Sequence, residues 1–123
     1  MLAFELEQLL FDMGYQTYVL GGDNVRYGLS NDMGFSQEDR AENIRRIGEA
    51  ASLFAEVGFI VISAFISPYR EDRRLAQRTV GNELHEVYLA ADIEACETRD
   101  PKGLYVKARH GVIVNLTGVT APY

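Results

Sequence analysis

Apolar positions recur along this chain with two periods, and the switches between them mark out its elements. From Leu2 to Met13 they fall at Leu2, Leu6, Leu9, Leu10 and Met13, the spacing of one helix face, and Gly14 stands where a helix stops. Gln16 to Leu20 ends in an apolar run that reads as a short buried strand. Ser36 to about Val57 returns to the helical period, with Ile44, Ile47, Ala51, Phe54 and Ala55 on one face and Gly58 at its end. Ser36 followed three residues later by Asp39 is a capping-box pattern, which predicts where this helix starts. Residues 59–64, FIVISA, are a nearly continuous β-branched run, as expected of a strand covered on both faces of a parallel sheet.

Beyond it, Pro68 breaks the pattern and Tyr69 to Thr79 reads as an arginine-rich helix. Leu84 to Leu89 is expected as a third strand, Asp92 as the cap of a short helix through Arg99, and residues 100–103 as a turn. Leu104 to Arg109 reads as one or two helical turns, and residues 111–123 have no clear period. There is no internal repeat, low-complexity run or linker, so residues 1–123 are read as a single domain. The order αβαβαβα with short connections predicts an α/β fold with helices on both faces of a parallel sheet.

Ligands of such a sheet sit beyond the carboxyl ends of its strands, which directs attention to residues 21–48. Gly21 and Gly22 open a tight polar turn carrying Asp23 and Asn24, with Arg26, Phe35, Arg40, Asn43, Arg45 and Arg46 following. Taken alone these have two readings. Asp-Asn after glycine is ordinary turn chemistry and arginines on a helix form a solvated face; or carboxylate, amide, aromatic ring and guanidinium groups converge on a site.

Composition narrows the classes. The chain has 123 residues, 47% of them hydrophobic, and no apolar run long enough to span a bilayer. The acidic start MLAFELEQLL is unlike the basic opening of a secretory signal. With the single cysteine Cys96 no internal disulfide can form, which fits a reducing, cytoplasmic compartment. Cys96 reads as a buried apolar residue before it reads as a nucleophile, since neither His85 nor His110 stands in a recognisable partnership with it. A net charge of −6 and a pI near 4.8 disfavour nucleic acid and anionic membrane as partners, leaving the arginines as local anion contacts.

The letters themselves go further. GDNVR-x-GL, then MGFS-x-EDR-x-ENIRRIGE, FISPYREDR at Phe65 to Arg73 and CETRDPKGLYVKAR at Cys96 to Arg109 together resemble the adenylyl-sulfate kinase (APS kinase) family. That resemblance implies a three-layer α/β/α fold of the P-loop nucleoside triphosphate hydrolase type. It also implies transfer of the γ-phosphate of ATP, with Mg2+, to the 3′-hydroxyl of adenosine 5′-phosphosulfate in sulfate assimilation. A P-loop needs G-x-x-x-x-G-K-[ST], and the only lysines are Lys102 and Lys107, outside any such motif. In the family that loop directly precedes the helix beginning here at Leu2, and a further strand and helix follow the final Pro-Tyr. The expectation is therefore an incomplete version of a longer domain.

Roles follow from the resemblance residue by residue. Asp23 matches a carboxylate near the 3′-hydroxyl and the magnesium ion, and is the candidate general base or metal-shell ligand; the family's preceding acidic residue is Gly21 here. Arg26, Arg40 and Asn43 match contacts to the phosphosulfate, which suits guanidinium forks. Phe35 matches one of two aromatics that sandwich the substrate adenine, while Leu116 occupies the place of the other. Ile66 matches a substrate contact and Ser67 a serine described as phosphorylated, for which a Ser-Pro turn ending a strand is the competing reading. Arg99 matches the arginine lying against the ATP adenine, and Lys102, Gly103 and Leu104 match a flap that closes over the substrate. Arg70, Arg73, Arg74 and Arg78 are read as a solvated helix face.

Two functions remain open at this stage. One is the kinase, with a homodimer compatible with the family. The other is a non-catalytic homologue that binds adenylyl sulfate or a partner subunit, a reading favoured by Gly21, Leu116, and by Thr120 and Ala121 where acidic residues are usual.

Overall fold

The computed structural model describes residues 1–121. Its backbone gathers into two compact units, Met1–Leu84 and the described residues from His85 onward. In the first unit α1 (Leu2–Asp12) leads through Gly14, at φ +91°, into β1 (Thr17–Gly21). β1 runs straight into α2 (Gly22–Tyr27), and after a loop come α3 (Gln37–Glu56), β2 (Ile60–Ala64) and α4 (Arg70–Val80). The strands pair in parallel and in register, Thr17 opposite Ile60 and Gly21 opposite Ala64, joined by a crossover that contains α3. Both strands therefore stop at the same level, and α2 and residues 65–69 leave the sheet side by side.

Alternation along the strands assigns the two faces of this sheet. Tyr18, Leu20 and Val61 face α3: Tyr18 stacks on Phe54 at 5.0 Å between ring centroids, and Leu20 joins Val25, Ile44, Ile47 and Ala51 in the buried core, with Val61, Phe65 and Ala76 packed on it. Val19, buried to 3% exposure, projects from the other face, and α1 packs on both strands. α4 lies along α3 at the one position where α3 has no side chain: a Cβ on Gly48 would stand 3.5 Å from the Ala76 backbone.

Three expectations are corrected here. The polar turn at residues 21–24 is instead the start of α2, because Gly21, extended at φ −96° and ψ 154°, serves as an N-cap while Val25 turns inward to 4% exposure. β2 is not covered on both faces: Ile60 and Ser63 are exposed and the other three residues half-buried. The strand expected at Leu84 to Leu89 does not form. After a 3-10 turn at Gly81–Glu83 the chain runs irregularly, with Val87, Tyr88 and Leu89 all more than 60% exposed. Its alternation suits a strand, but a strand exists only by pairing, and β1 and β2 pair with each other alone among the described residues.

The second unit holds α5 (Ile93–Arg99) and α6 (Leu104–Arg109), as expected from the Asp92 cap and the turn after it. Residues 110–121 carry turns and one isolated bridge, Thr117 to Ala121. Positions 122 and 123, the end of the aperiodic stretch, lie outside the described residues.

Candidate functional site

The site grows from the coincident ends of β1 and β2. Asp23 lies in the first turn of α2 and is exposed, as an acidic residue at a helix start favours. On the neighbouring strand end, the Phe65 ring packs 4.0 Å from where a Cβ on Gly22 would be, and Ile66 follows at 61% exposure with Ser67 half-buried. The Ser67 segment is held in place by Arg73, which donates from one terminal nitrogen to the Ser67 carbonyl at 2.7 Å and the Pro68 carbonyl at 3.1 Å. Arg73 is therefore no part of a solvated face. Its guanidinium turns back along the first turn of α4 to satisfy carbonyls left over where β2 ends, a partnership that sequence spacing does not display.

The loop between α2 and α3 gathers three of the expected residues. Arg26 donates from Nη1 to the Gly34 carbonyl at 3.0 Å and the Met33 carbonyl at 3.4 Å, and its guanidinium lies over the Phe35 ring, 4.3 Å from the centroid. Arg40 donates from Nε to the Phe35 carbonyl at 3.1 Å. Asn43, one turn further along α3, is buried to 4% exposure, and its Oδ1 has no hydrogen-bond partner. An anion can only accept, so it would engage the Asn43 amide NH2 and leave Oδ1 as it stands.

Ser36 caps α3 as its spacing predicts, its hydroxyl accepting from the Asp39 N–H at 3.1 Å. The return bond of the capping box goes elsewhere: the Asp39 carboxylate accepts from the Gly34 N–H at 2.9 Å. Asp is one methylene shorter than the usual Glu, and the tight loop brings a different N–H within its reach.

Arg46 then fastens the whole loop to α3. It donates bidentately to Asp32 at 2.6 and 2.9 Å, to the Leu29 carbonyl at 2.9 Å, and from Nε to Glu42 at 2.9 Å. Glu42 also receives both Arg45 bonds, at 2.7 and 2.9 Å. The Arg45 and Arg46 guanidinium groups hold the Glu42 carboxyl down at about 2, and Arg46 likewise lowers Asp32. Asp32 was missed from sequence. The available signal was an acidic residue in a loop that must fold back on the two arginines of α3.

In the second unit Arg99 ends α5, exposed, and Lys102 and Gly103 form the turn before Leu104 opens α6. Gly103 takes the left-handed conformation at φ +64°, which a side chain would resist. Asp100, another residue without an assigned role, organises this stretch. Its carboxylate accepts from the N–H groups of Leu104 at 2.8 Å, Tyr105 at 2.9 Å and Val106 at 3.3 Å. Burial, and then the Cys96 thiol beside it, raise the Tyr105 phenol above its ordinary value. Leu116 is half-buried in a tight turn, its N–H donating to the Thr120 hydroxyl at 2.8 Å. Thr120, noted for replacing an acidic residue, closes that turn.

For a metal, the described residues bring together no group of three or more His, Cys, Asp or Glu side chains. Mg2+ does not require one, because it is commonly held by one or two carboxylates together with substrate phosphates. Exposed at a strand end, Asp23 fits that use.

The adenylylsulphate kinase family profile matches residues 1–123. The adenylyl-sulfate kinase of Clostridium acetobutylicum is 56% identical over 121 residues, which cover 98% of this chain and 60% of that protein. That of Bacillus licheniformis is 62% identical over 115 residues, 93% of this chain and 58% of the relative. The chain thus spans about 60% of the length of the curated relatives it matches. Among solved structures, the Mycobacterium tuberculosis APS kinase CysC in complex with AMPPNP and APS superposes with a TM-score of 0.95 at 46% identity, covering 98% of this chain and 72% of that one. That agreement gives the fold as the α/β P-loop kinase type. The chain belongs to the adenylylsulphate kinase family.

Proposed function

We propose that this chain serves an adenylyl-sulfate kinase, transferring the γ-phosphate of ATP to the 3′-hydroxyl of adenosine 5′-phosphosulfate, within one kinase domain to which both compact units belong. The observation that carries the reading is the contact of Arg26 and Arg40 with Phe35, with Arg26 one turn after Asp23 on the helix that leaves the end of β1. It is supported by the relatives' shared activity name and by the M. tuberculosis kinase, whose structure holds both APS and an ATP analogue. Asp23 accepts the proton of the attacking 3′-hydroxyl and is the residue that would bind Mg2+. When bound, Mg2+ neutralises phosphate charge, on which phosphoryl transfer chiefly depends. Arg40 and the Asn43 amide supply donors to the phosphosulfate, Phe35 a surface for the adenine, and Ile66 and Ser67 a second wall. Arg99 is the proposed contact to the ATP adenine, and Lys102, Gly103 and Leu104 the proposed flap, whose closure would exclude water. The reaction is placed in the cytoplasm, and a homodimer is the proposed assembly.

A second reading, a homologue that binds adenylyl sulfate without phosphorylating it, is favoured by Gly21 and Leu116 at positions where the family places an acid and an aromatic. One experiment separates the two. Formation of 3′-phosphoadenylyl sulfate from ATP, Mg2+ and adenosine 5′-phosphosulfate is measured for the longest open-frame product that contains this chain, beside its Asp23→Asn variant. The kinase reading expects turnover that falls on the order of 10²-fold or more in the variant, as loss of a general base does. Adenylyl sulfate bound by both proteins with no product from either would establish the binding module instead.

A further inference from the structure

Arg26 spends its guanidinium on the loop that carries Phe35. One terminal nitrogen bridges the carbonyls of Met33 and Gly34, the two residues preceding the ring, and the guanidinium carbon stands 4.3 Å from the ring centroid. Phe35 is nevertheless 61% exposed, so with a cation across one face its remaining surface is open to solvent. Arg40 anchors the same residue through the Phe35 carbonyl. An exposed phenyl on an irregular loop would ordinarily sample several rotamers, and a base stacking on it would have to select one. Here the ring is backed by a planar cation whose own position is fixed by two carbonyls.

We infer that Arg26 is a positioning residue for the aromatic platform: it holds Phe35 from behind, so that an adenine ring stacks on the outward face in the order guanidinium, phenyl, purine. This deepens the adenylyl-sulfate reading, on which it rests, and changes the job of Arg26. Its effect is exerted on the base, through Phe35, and a nucleoside with no anionic group should feel it.

That last consequence supplies the test. Adenosine and adenosine 5′-phosphosulfate are titrated calorimetrically into the protein, its Arg26→Met variant, which keeps the stem, and its Arg26→Lys variant, which keeps the charge but not the planar fork. The expected result is a loss of adenosine affinity of about two- to fivefold in Arg26→Met, the scale of one exposed cation–π contact, and a smaller loss in Arg26→Lys. Adenosine affinity unchanged in both, with only adenosine 5′-phosphosulfate weakened in Arg26→Met, would mean that Arg26 is an anion contact and would overturn the inference. Failure of the parent protein to bind adenosine 5′-phosphosulfate would sink the functional reading separately.

A ligand-free arm decides the case whatever binds. The sequence contains no tryptophan, so Phe35→Trp introduces a single tryptophan at the platform, which can be excited selectively beside the tyrosines. Acrylamide should quench it faster once Arg26→Met or Arg26→Lys is added, whichever of the two folds. Equal quenching with and without the arginine would show that nothing backs the ring, and the inference falls.

Discussion

Gly34 and Ser36 show how much of the loop's shape rests on single atoms. The Ser36 hydroxyl is the acceptor for the Asp39 N–H at the start of α3, so Ser36→Ala should cost about 1 kcal/mol of stability, the ordinary worth of an N-cap. Gly34 has a different constraint: a Cβ there would lie 2.7 Å from the Asp39 carboxylate oxygen, which itself accepts from the Gly34 N–H. Gly34→Ala should therefore cost a comparable amount by driving the Asp39 side chain off that N–H. The two effects share Asp39 and should not add. Urea unfolding of both single variants and the double checks this; strict additivity would mean that Asp39 does not join them. The Ser36 cap was legible from sequence because caps act over three residues. The bonds of Asp39 to Gly34, Arg73 to Ser67 and Arg46 to Asp32 were not, since each depends on how a loop folds back, which no local period records.

Elements were legible wherever one period ran long enough. α1, α3, α4, β1 and β2 fall within one or two residues of their expected bounds. In β1 and α3 the pattern coincides with the core formed by Leu20, Ile44, Ile47 and Ala51, whereas Leu2, Leu6, Leu9 and Met13, which set the period of α1, are exposed and Ala3 is its buried residue. α2 was hidden because Gly-Asp-Asn favours a turn locally, and only the burial of Val25 against the core makes a helix of it. The segment after Leu84 was misread for the opposite reason: its alternation is genuine, but pairing is a long-range fact. Gly48 gives a prediction at this scale. A Cβ there would meet Ala76 and Thr79 at 3.5–3.8 Å, ordinary van der Waals contact, so Gly48→Ala fits and should stabilise α3 by about 0.5–1 kcal/mol through helix propensity. Gly48→Val puts two more methyl groups against the α4 backbone and should destabilise by about 1–3 kcal/mol. If thermal melts show both substitutions costing stability, the α3 to α4 approach is closer than described.

Across the first unit, the charges of the α2 to α3 loop and of α3 act together and make its stability depend on acid. Glu42 has its carboxyl held at about 2 against an ordinary 4.5, and Asp32 is lowered as well. A carboxyl whose folded value is depressed stabilises fully above its unfolded value and loses that contribution as pH falls through the folded one. The Glu42 contribution should thus be intact from pH 7 to about 4.5 and vanish progressively toward about 2. Asp72 works the other way. Burial, and then Glu71 beside it, raise its carboxyl, and one of its oxygens is buried without a partner, so ionisation there opposes folding at neutral pH and acid relieves it. Two lowered carboxyls stand against one raised one, so melting temperature should decline below pH 4.5. Glu42→Gln should lower the melting temperature at pH 7 and flatten that decline, because the glutamine binds no proton in either state. Asp72→Asn should leave the decline at least as steep while removing the neutral-pH penalty. Melting curves of the three proteins from pH 7 to 2.5 measure this directly, and an undiminished acid slope in Glu42→Gln would show that the arginines of α3 do not stabilise the Glu42 carboxylate. Since that loop carries Phe35 and the carbonyls on which Arg26 rests, adenosine 5′-phosphosulfate affinity in Glu42→Gln should fall with it at neutral pH, although Glu42 would touch no part of the nucleotide.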